Sequence, residues 1–205
     1  MSSRHHKRKA FFDLHANIWD VICNHDEAKL EEFFKVLSLK KGDRVLDVGT
    51  GTGILIPHIL KRIGSEGKIV PLDYTENMIK KAKEKFPQKE YPNVNFVIKN
   101  FFETTSECLF DSIICYSCFP HLEDKEQFFQ KSFDLLNWDG TLLVAHSSSR
   151  AEINKIHARK NEAVRDDFLP SLEEIKALSE QGGFVLLAEK DDKRMFYVLM
   201  KKQKN

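Results

Sequence analysis

The stretch Val45-Leu46-Asp47-Val48-Gly49-Thr50-Gly51-Thr52-Gly53 constrains this chain more than any other. Four apolar or acidic residues of strand character run straight into three glycines within five positions. Glycine permits positive φ and lets a ligand approach the backbone where a Cβ would block it. The residues that follow read as a helix over 52–63, with Pro57 near its start, where a missing N–H costs least. Strand, glycine turn and helix N-terminus together form a site for anionic or carboxylate groups.

The remaining pattern alternates strand and helix. Strands are expected at 68–73, 94–99, 110–116 and 140–146, with helices at 75–85 and 124–136. The run Phe110–Tyr116 is apolar on both faces, as suits a central parallel strand. After 146 the alternation breaks. Residues 147–170 read as an insertion holding a polar helical stretch, 171–181 as a capped helix, and 184–189 with 194–201 as two antiparallel strands joined by a tight turn. The expected fold is an α/β three-layer sandwich: a Rossmann-like, seven-stranded, mostly parallel sheet with an antiparallel C-terminal strand. A single domain over 1–205 is expected, with residues 1–25 as tail and lid helix and the insertion over the strand ends. Ligands in such sheets bind outside the carboxyl ends of the strands, at the topological switch point.

The glycine loop narrows the cofactor. A P-loop closes on Gly-Lys-Ser/Thr, which is missing here. A dinucleotide fingerprint needs G-x-G-x-x-G, whereas Ile54 follows Gly53. Asp73 ends the second strand about 20 residues after the loop, where a carboxylate can hold ribose hydroxyls through both oxygens. Tyr74 and Met78 follow it, and Asn100 and Phe101 follow the third strand. Asp47 with G-x-G-x-G, and Asp73 with a Met-bearing helix, resemble motifs of the class I S-adenosylmethionine-dependent methyltransferases, over roughly residues 11–202. That resemblance implies S-adenosylmethionine as the cofactor. It assigns the loop Gly49, Thr50, Gly51 and Gly53 to the aminoacid part, Asp47 to its ammonium, Asp73 to the ribose, and Tyr74, Met78, Asn100 and Phe101 to the adenine. Cys115 and Tyr116, at the end of the fourth strand, complete the expected cofactor set. Asn100 departs from the family's usual Asp. Tyr197 and Lys201 have the Tyr-x-x-x-Lys spacing of short-chain dehydrogenases, but they fall in the last strand, far from the expected site.

The acceptor class is read from Cys115-Tyr116-Ser117-Cys118-Phe119-Pro120-His121-Leu122-Glu123-Asp124. The Asp/Asn-Pro-Pro-aromatic motif of many amino-group methyltransferases on nucleic acids and proteins is missing, as is the Pro-Cys pair of cytosine-C5 enzymes. What remains resembles the small-molecule branch. His121 is the first candidate base, with a helix-packing histidine as the alternative. Arg150, Asn154, His157 and Asn161 share one helical face by their four-three-four spacing, as a pocket stripe or a solvated face. The expected acceptor pocket brings together His121, His146, Arg150 and His157. No metal is expected, because Cys115, Cys118 and His121 lack a second cysteine pair. The segment Phe11–Asp20 reads as an amphipathic helix whose Phe12 and Trp19 either lid the cofactor or pack on the sheet.

Charge supports a small acceptor. There are 32 basic and 31 acidic residues, but Arg4, Lys7, Arg8 and Lys9 crowd one end and Lys201, Lys202 and Lys204 the other. Setting those seven aside leaves 25 basic against 31 acidic residues, a poor match for a nucleic-acid backbone. The basic ends read as solvated tails or as a weak anchor for an anion. No apolar run approaches the roughly 20 residues of a membrane helix. Without an export signal, the cysteines Cys23, Cys108, Cys115 and Cys118 are expected as reduced thiols in the cytoplasm. The expected activity is methyl transfer to a small molecule. An RNA or protein methyltransferase, an NAD-binding oxidoreductase and a non-catalytic S-adenosylmethionine-binding regulator are the alternatives.

Overall fold

A computed structural model describes residues 3–23, 25–159 and 162–203, so the expectation for Asn161 lies outside the described residues. The elements run in chain order α1 (Ser3–His15), α2 (Trp19–Ile22), α3 (Glu27–Leu37), β1 (Arg44–Val48), α4 (Ile56–Ile63), β2 (Lys68–Asp73), α5 (Glu76–Lys85), β3 (Val97–Ile98), β4 (Phe110–Tyr116), α6 (Lys125–Leu135), β5 (Leu136–His146), α7 (Arg150–Ala158), α8 (Leu172–Gln181), β6 (Phe184–Asp191) and β7 (Phe196–Lys202).

The strands form one seven-stranded sheet in the order β3-β2-β1-β4-β5-β7-β6. Pairing is parallel from β3 through β5. Strand β7 runs antiparallel to both of its neighbours. The order reverses between β1 and β4, so the glycine loop after β1 and the turn after β4 open side by side, at the position such sheets reserve for ligands.

Apolar residues on alternate positions of the same strands feed two cores. Leu46, Val48, Ile113, Cys115, Leu142 and Val144 face Phe128 and Phe129 of α6 and Ile175 of α8. Val45, Ile114, Tyr116, Leu143 and Ala145 face α3 and α4, where Leu30, Phe33, Phe34, Ile56 and Ile59 pack. Burial on both faces explains the near-continuous apolar strands. Helix starts are capped by side chains that accept backbone N–H groups: Asp26 for α3, Asp124 for α6, Ser149 for α7, and Ser171 with Glu174 as a capping box for α8.

Several boundaries differ from the sequence reading. The helix after the glycine loop starts at Ile56, because 52–55 remain a turn that brings Gly53, at φ 86°, under the loop. The third strand shrinks to two residues, with Val94 touching Ile69 only through an isolated bridge, so this edge barely pairs. Helix α3 has no counterpart in the sequence reading. Its pattern Leu30, Phe33, Phe34 and Leu37 is amphipathic and supplies the second core. Two residues of the basic ends are folded in, while Arg4 and Lys7 stay exposed and Lys204 lies outside the described residues. Arg8 is buried, and Lys202 folds in to donate to the carbonyls of Phe133 and Leu136. Tyr197 packs on Phe33 inside the sheet and Lys201 pairs with Asp139, which removes any dehydrogenase-like role from that spacing.

Candidate active site

A cleft of about 340 Å³ opens over the carboxyl ends of β1, β2 and β4. Its floor is the glycine loop, where Gly49, Gly51 and Gly53 take φ values of 69°, 54° and 86°. An added Cβ on Gly49 would stand 2.6 Å from Cys118 Cβ, so the loop fits against the post-β4 turn only as glycine. A Cβ on Gly51 would meet the Trp19 indole at 3.7 Å, an ordinary contact. The loop is pinned from β2: the N–H groups of Gly49 and Thr50 both donate to Leu72 O, and Gly51 N donates to Asp73 Oδ2 at 3.0 Å.

Asp47 and Asp73 are the buried carboxylates of this end. Burial raises the Asp47 pKa to about 7, against a 2.6 Å hydrogen bond from Thr50 Oγ1 to its Oδ2, with the Asp73 charge adding to the rise. Burial also raises Asp73, although it accepts hydrogen bonds from Thr75 N, Thr75 Oγ1 and Gly51 N. Those three donors use most of its lone pairs and leave one for a ribose hydroxyl. A carboxylate held near neutrality by burial is completed by a cation, and S-adenosylmethionine brings an ammonium and a sulfonium. The donor set fits that group.

Of the sequence-predicted cofactor residues, Asp47, Gly49, Thr50, Gly51, Asp73, Tyr74, Met78, Asn100, Phe101 and Tyr116 line the cleft. Gly53 does not. It is buried under the loop against Ile56 and Phe86, where it serves the turn. Cys115 does not line it either, since its thiol lies behind Cys118 with the sulfurs 2.9 Å apart. Cys118, whose thiol reaches Val48 O, takes the wall position instead. Asn100 Oδ1 accepts from Phe102 N at 3.1 Å, so its amide NH₂ is the group left for a ligand.

The roof is the N-terminal segment. Asp13 accepts from Asn77 N at the start of α5, and Asp20 accepts from Thr52 Oγ1 and pairs with Lys85 Nζ at 2.6 Å. These contacts lay Phe11, Phe12 and Trp19 over the cleft, with the Trp19 and Phe12 rings edge to face at 5.5 Å. The sequence left a lid and plain packing open, and both rings line the cavity.

Elsewhere in the cleft His121 lies beside His157, their ring centroids 4.9 Å apart, near Phe12, Leu122, Ile153, Ile156 and Val164. His121 Nδ1 donates to Asp167 Oδ2 at 2.8 Å, and His157 Nδ1 donates to the Asp167 backbone oxygen. His121 is thus left with Nε2 as its basic nitrogen. Burial lowers the His121 pKa, against the raising effect of Asp167. The other two members of the expected histidine–arginine set are placed elsewhere. His146 is buried beneath, outside the cleft wall, with Nε2 unpartnered; burial, then His121 and His157, lower its pKa to about 3 and keep it neutral. Arg150 turns to Asp191 at 3.2 Å, and Asn154 holds the Leu169 backbone, so the polar stripe of α7 mostly braces neighbouring chain.

Asp167 was not legible in the sequence. It follows α7 in an irregular stretch with no motif, and its partners Arg8 and His121 are 159 and 46 positions away. Ser117, at φ 54°, was missed as well: it turns the chain sharply at the cleft edge, where a non-glycine residue is uncommon.

Comparison with known proteins agrees with this architecture. A family model described as a methyltransferase domain matches residues 39–201. The malonyl-[acyl-carrier protein] O-methyltransferase 1 of Ilyobacter polytropus is 35% identical over 121 residues, 59% of this chain and 43% of that protein. A ubiquinone/menaquinone biosynthesis C-methyltransferase of Cronobacter sakazakii is 28% identical over 159 residues, 74% of this chain and 60% of that protein. The chain thus spans less than two thirds of either relative. Phosphoethanolamine N-methyltransferase 2 of Haemonchus contortus superposes with a TM-score of 0.79 at 15% identity, over 100% of this chain and 61% of that one, a likeness of fold.

Proposed function

We propose that this chain, which belongs to the class I S-adenosylmethionine-dependent methyltransferases and uses S-adenosylmethionine as its cofactor, methylates a small-molecule acceptor. The observation that carries the reading is the roof. Helices α1 and α2 lie over the strand ends and narrow the cleft, a shape that favours a small molecule over a broad RNA or protein surface. The two histidines stand at its acceptor end.

The cofactor, when bound, supplies an electrophilic methyl on a sulfonium. In this reading Asp47 holds the ammonium, Asp73 one ribose hydroxyl, and Phe101 and Met78 flank the adenine. Phe12, Leu122 and Ile156 hold the apolar body of the acceptor and exclude water. His121 Nε2 would take the proton from an acceptor hydroxyl or amine as that group is methylated, and would hold it as imidazolium. Positioning and one base are all that this transfer needs. The relatives' names, an O-methyltransferase and a quinone C-methyltransferase, support a small acceptor. We also place the protein in the cytoplasm, in keeping with its four free thiols.

The test is transfer of labelled methyl from S-adenosylmethionine to a panel of phenols, carboxylic acids, amines and quinols. His121→Gln is expected to lower kcat about 10²–10⁴-fold while leaving S-adenosylhomocysteine affinity within about twofold. Labelling of RNA or protein with none on the small molecules overturns the reading.

A further inference from the structure

Asp167 is the most heavily used side chain at the acceptor end. Its carboxylate is buried, yet it accepts from four nitrogens on two other elements: His121 Nδ1 at 2.8 Å, Arg8 Nε at 2.8 Å, Arg8 Nη2 at 2.6 Å and Arg4 Nη2 at 3.0 Å. Its backbone oxygen takes His157 Nδ1 as well. One residue thereby joins the roof helix α1, the turn after β4 and the stretch following α7. Arg8 is buried too, and its Nη1 lies 3.6 Å from Glu123 Oε1 without a hydrogen-bond partner. The two-nitrogen contact of Arg8 on a buried carboxylate is the geometry that specifies a unique docking pose.

We propose that Asp167 is a positioning residue: it orients the His121 ring with Nε2 toward the cleft, and Arg8, by sharing the same carboxylate, ties that arrangement to the seating of α1. The proposal rests on the reading of His121 as the base. Oriented this way, His121 carries its proton on Nδ1 and its lone pair on Nε2. A carboxylate alone would also stabilise the charged imidazolium, which cannot accept a proton. Arg8 offsets that by occupying the other lone pairs of Asp167 and by placing a cation beside the ring. The charged and titratable groups around His121 are Asp167 and Arg8, then Lys125 from α6, His157 from α7 and His146 from β5 beneath. With α1 displaced, Asp167 is left to His121 and the ring charges more easily. With α1 seated over the ligands, the ring is neutral and aimed. The roof thus closes the cleft and readies the base through a single carboxylate.

The test uses the full chain with S-adenosylhomocysteine bound and ¹⁵N-histidine NMR across pH 4–9. In the unaltered protein His121 is expected as the Nδ1–H tautomer. Arg8→Met is expected to raise the His121 pKa by about one pH unit, because a nearby cation goes and the carboxylate is no longer shared. Asp167→Asn is expected to lower it and to mix the tautomers. General loosening of the fold would move both variants the same way, toward the ordinary histidine value, so opposite signs support the coupling and equal signs overturn it. An Nε2–H tautomer in the unaltered protein overturns it without recourse to any variant. If His121→Gln keeps full turnover while the opposite shifts appear, Asp167 and Arg8 are coupled to the ring and it is the base reading that falls. If His121→Gln is inactive and the shifts are missing, the coupling alone is overturned.

Discussion

The two ends of the cleft are built on different principles. The cofactor end is made largely of backbone: a loop with three glycines in five positions, in which Gly49 and Thr50 donate to Leu72 O and Gly51 to Asp73. Its parts lie close in sequence, 47–53 and 73–78. The acceptor end is made of side chains drawn from α1, the turn after β4, α7 and the stretch beyond it, centred on Asp167. The backbone at Gly49 tolerates almost no change, because a Cβ there has nowhere to go. A side-chain network can be rebuilt residue by residue for a new acceptor. Their buried charges differ in the same sense. Among the described residues no cation pairs with Asp47, while Asp167 is met by Arg8 and His121. For Asp167 burial works to raise the pKa, but the bonds from His121 and Arg8 outweigh it and hold the carboxyl below its ordinary value.

The contrast breaks most visibly at Gly49. Gly49→Ala puts a Cβ at φ 69° and 2.6 Å from Cys118 Cβ. We expect cofactor affinity to fall about 100-fold or more by calorimetry, equivalent to about 2.7 kcal/mol, with a lower melting temperature. Retained affinity would mean that the loop is not held rigidly by the turn after β4.

A smaller effect is expected with pH. Asp47, at about 7 in the free protein, must lose its proton to meet the cofactor's cation. Binding therefore weakens as pH falls through 7, by about tenfold from pH 8 to pH 6. Asp47→Asn should flatten that slope in a calorimetric pH series. The sign for folding is the reverse. A carboxyl whose folded pKa is raised favours the folded state at low pH and loses that contribution as pH rises from its ordinary value to about 7. A flat affinity profile in the unaltered protein would show that the ammonium does not meet Asp47.

The smallest effect belongs at Arg150. Its pair with Asp191 is partly exposed and outside the cleft, so Arg150→Ala should change kcat and KM less than about twofold, as is usual for exposed ion pairs. A large loss would restore it to the acceptor pocket and undo the division between bracing and lining residues on α7.

Legibility in the sequence follows the same division. The strand before Gly49, the glycine spacing and the acid ending β2 could be read directly, because each depends on neighbours a few residues away. Ten of the twelve cofactor residues so read do line the cleft. The two exceptions, Gly53 and Cys115, share the motif but face inward, which only the turn at 52–55 and the strand pleat decide. Helix α3 was passed over despite its apolar spacing, and Arg150 was misplaced because a four-residue period identifies a helix face but not what that face meets.

The sequence by itself determined the parallel sheet and the glycine loop, since alternation and glycine spacing are local and leave the backbone few choices, and the cofactor followed from the loop's resemblance to the class I methyltransferases. The tertiary structure decided the rest of the acceptor end. Only folding brings Arg8, His121 and Asp167 together across 159 positions, and it does so because a carboxylate taken out of water must find its cations wherever the chain supplies them.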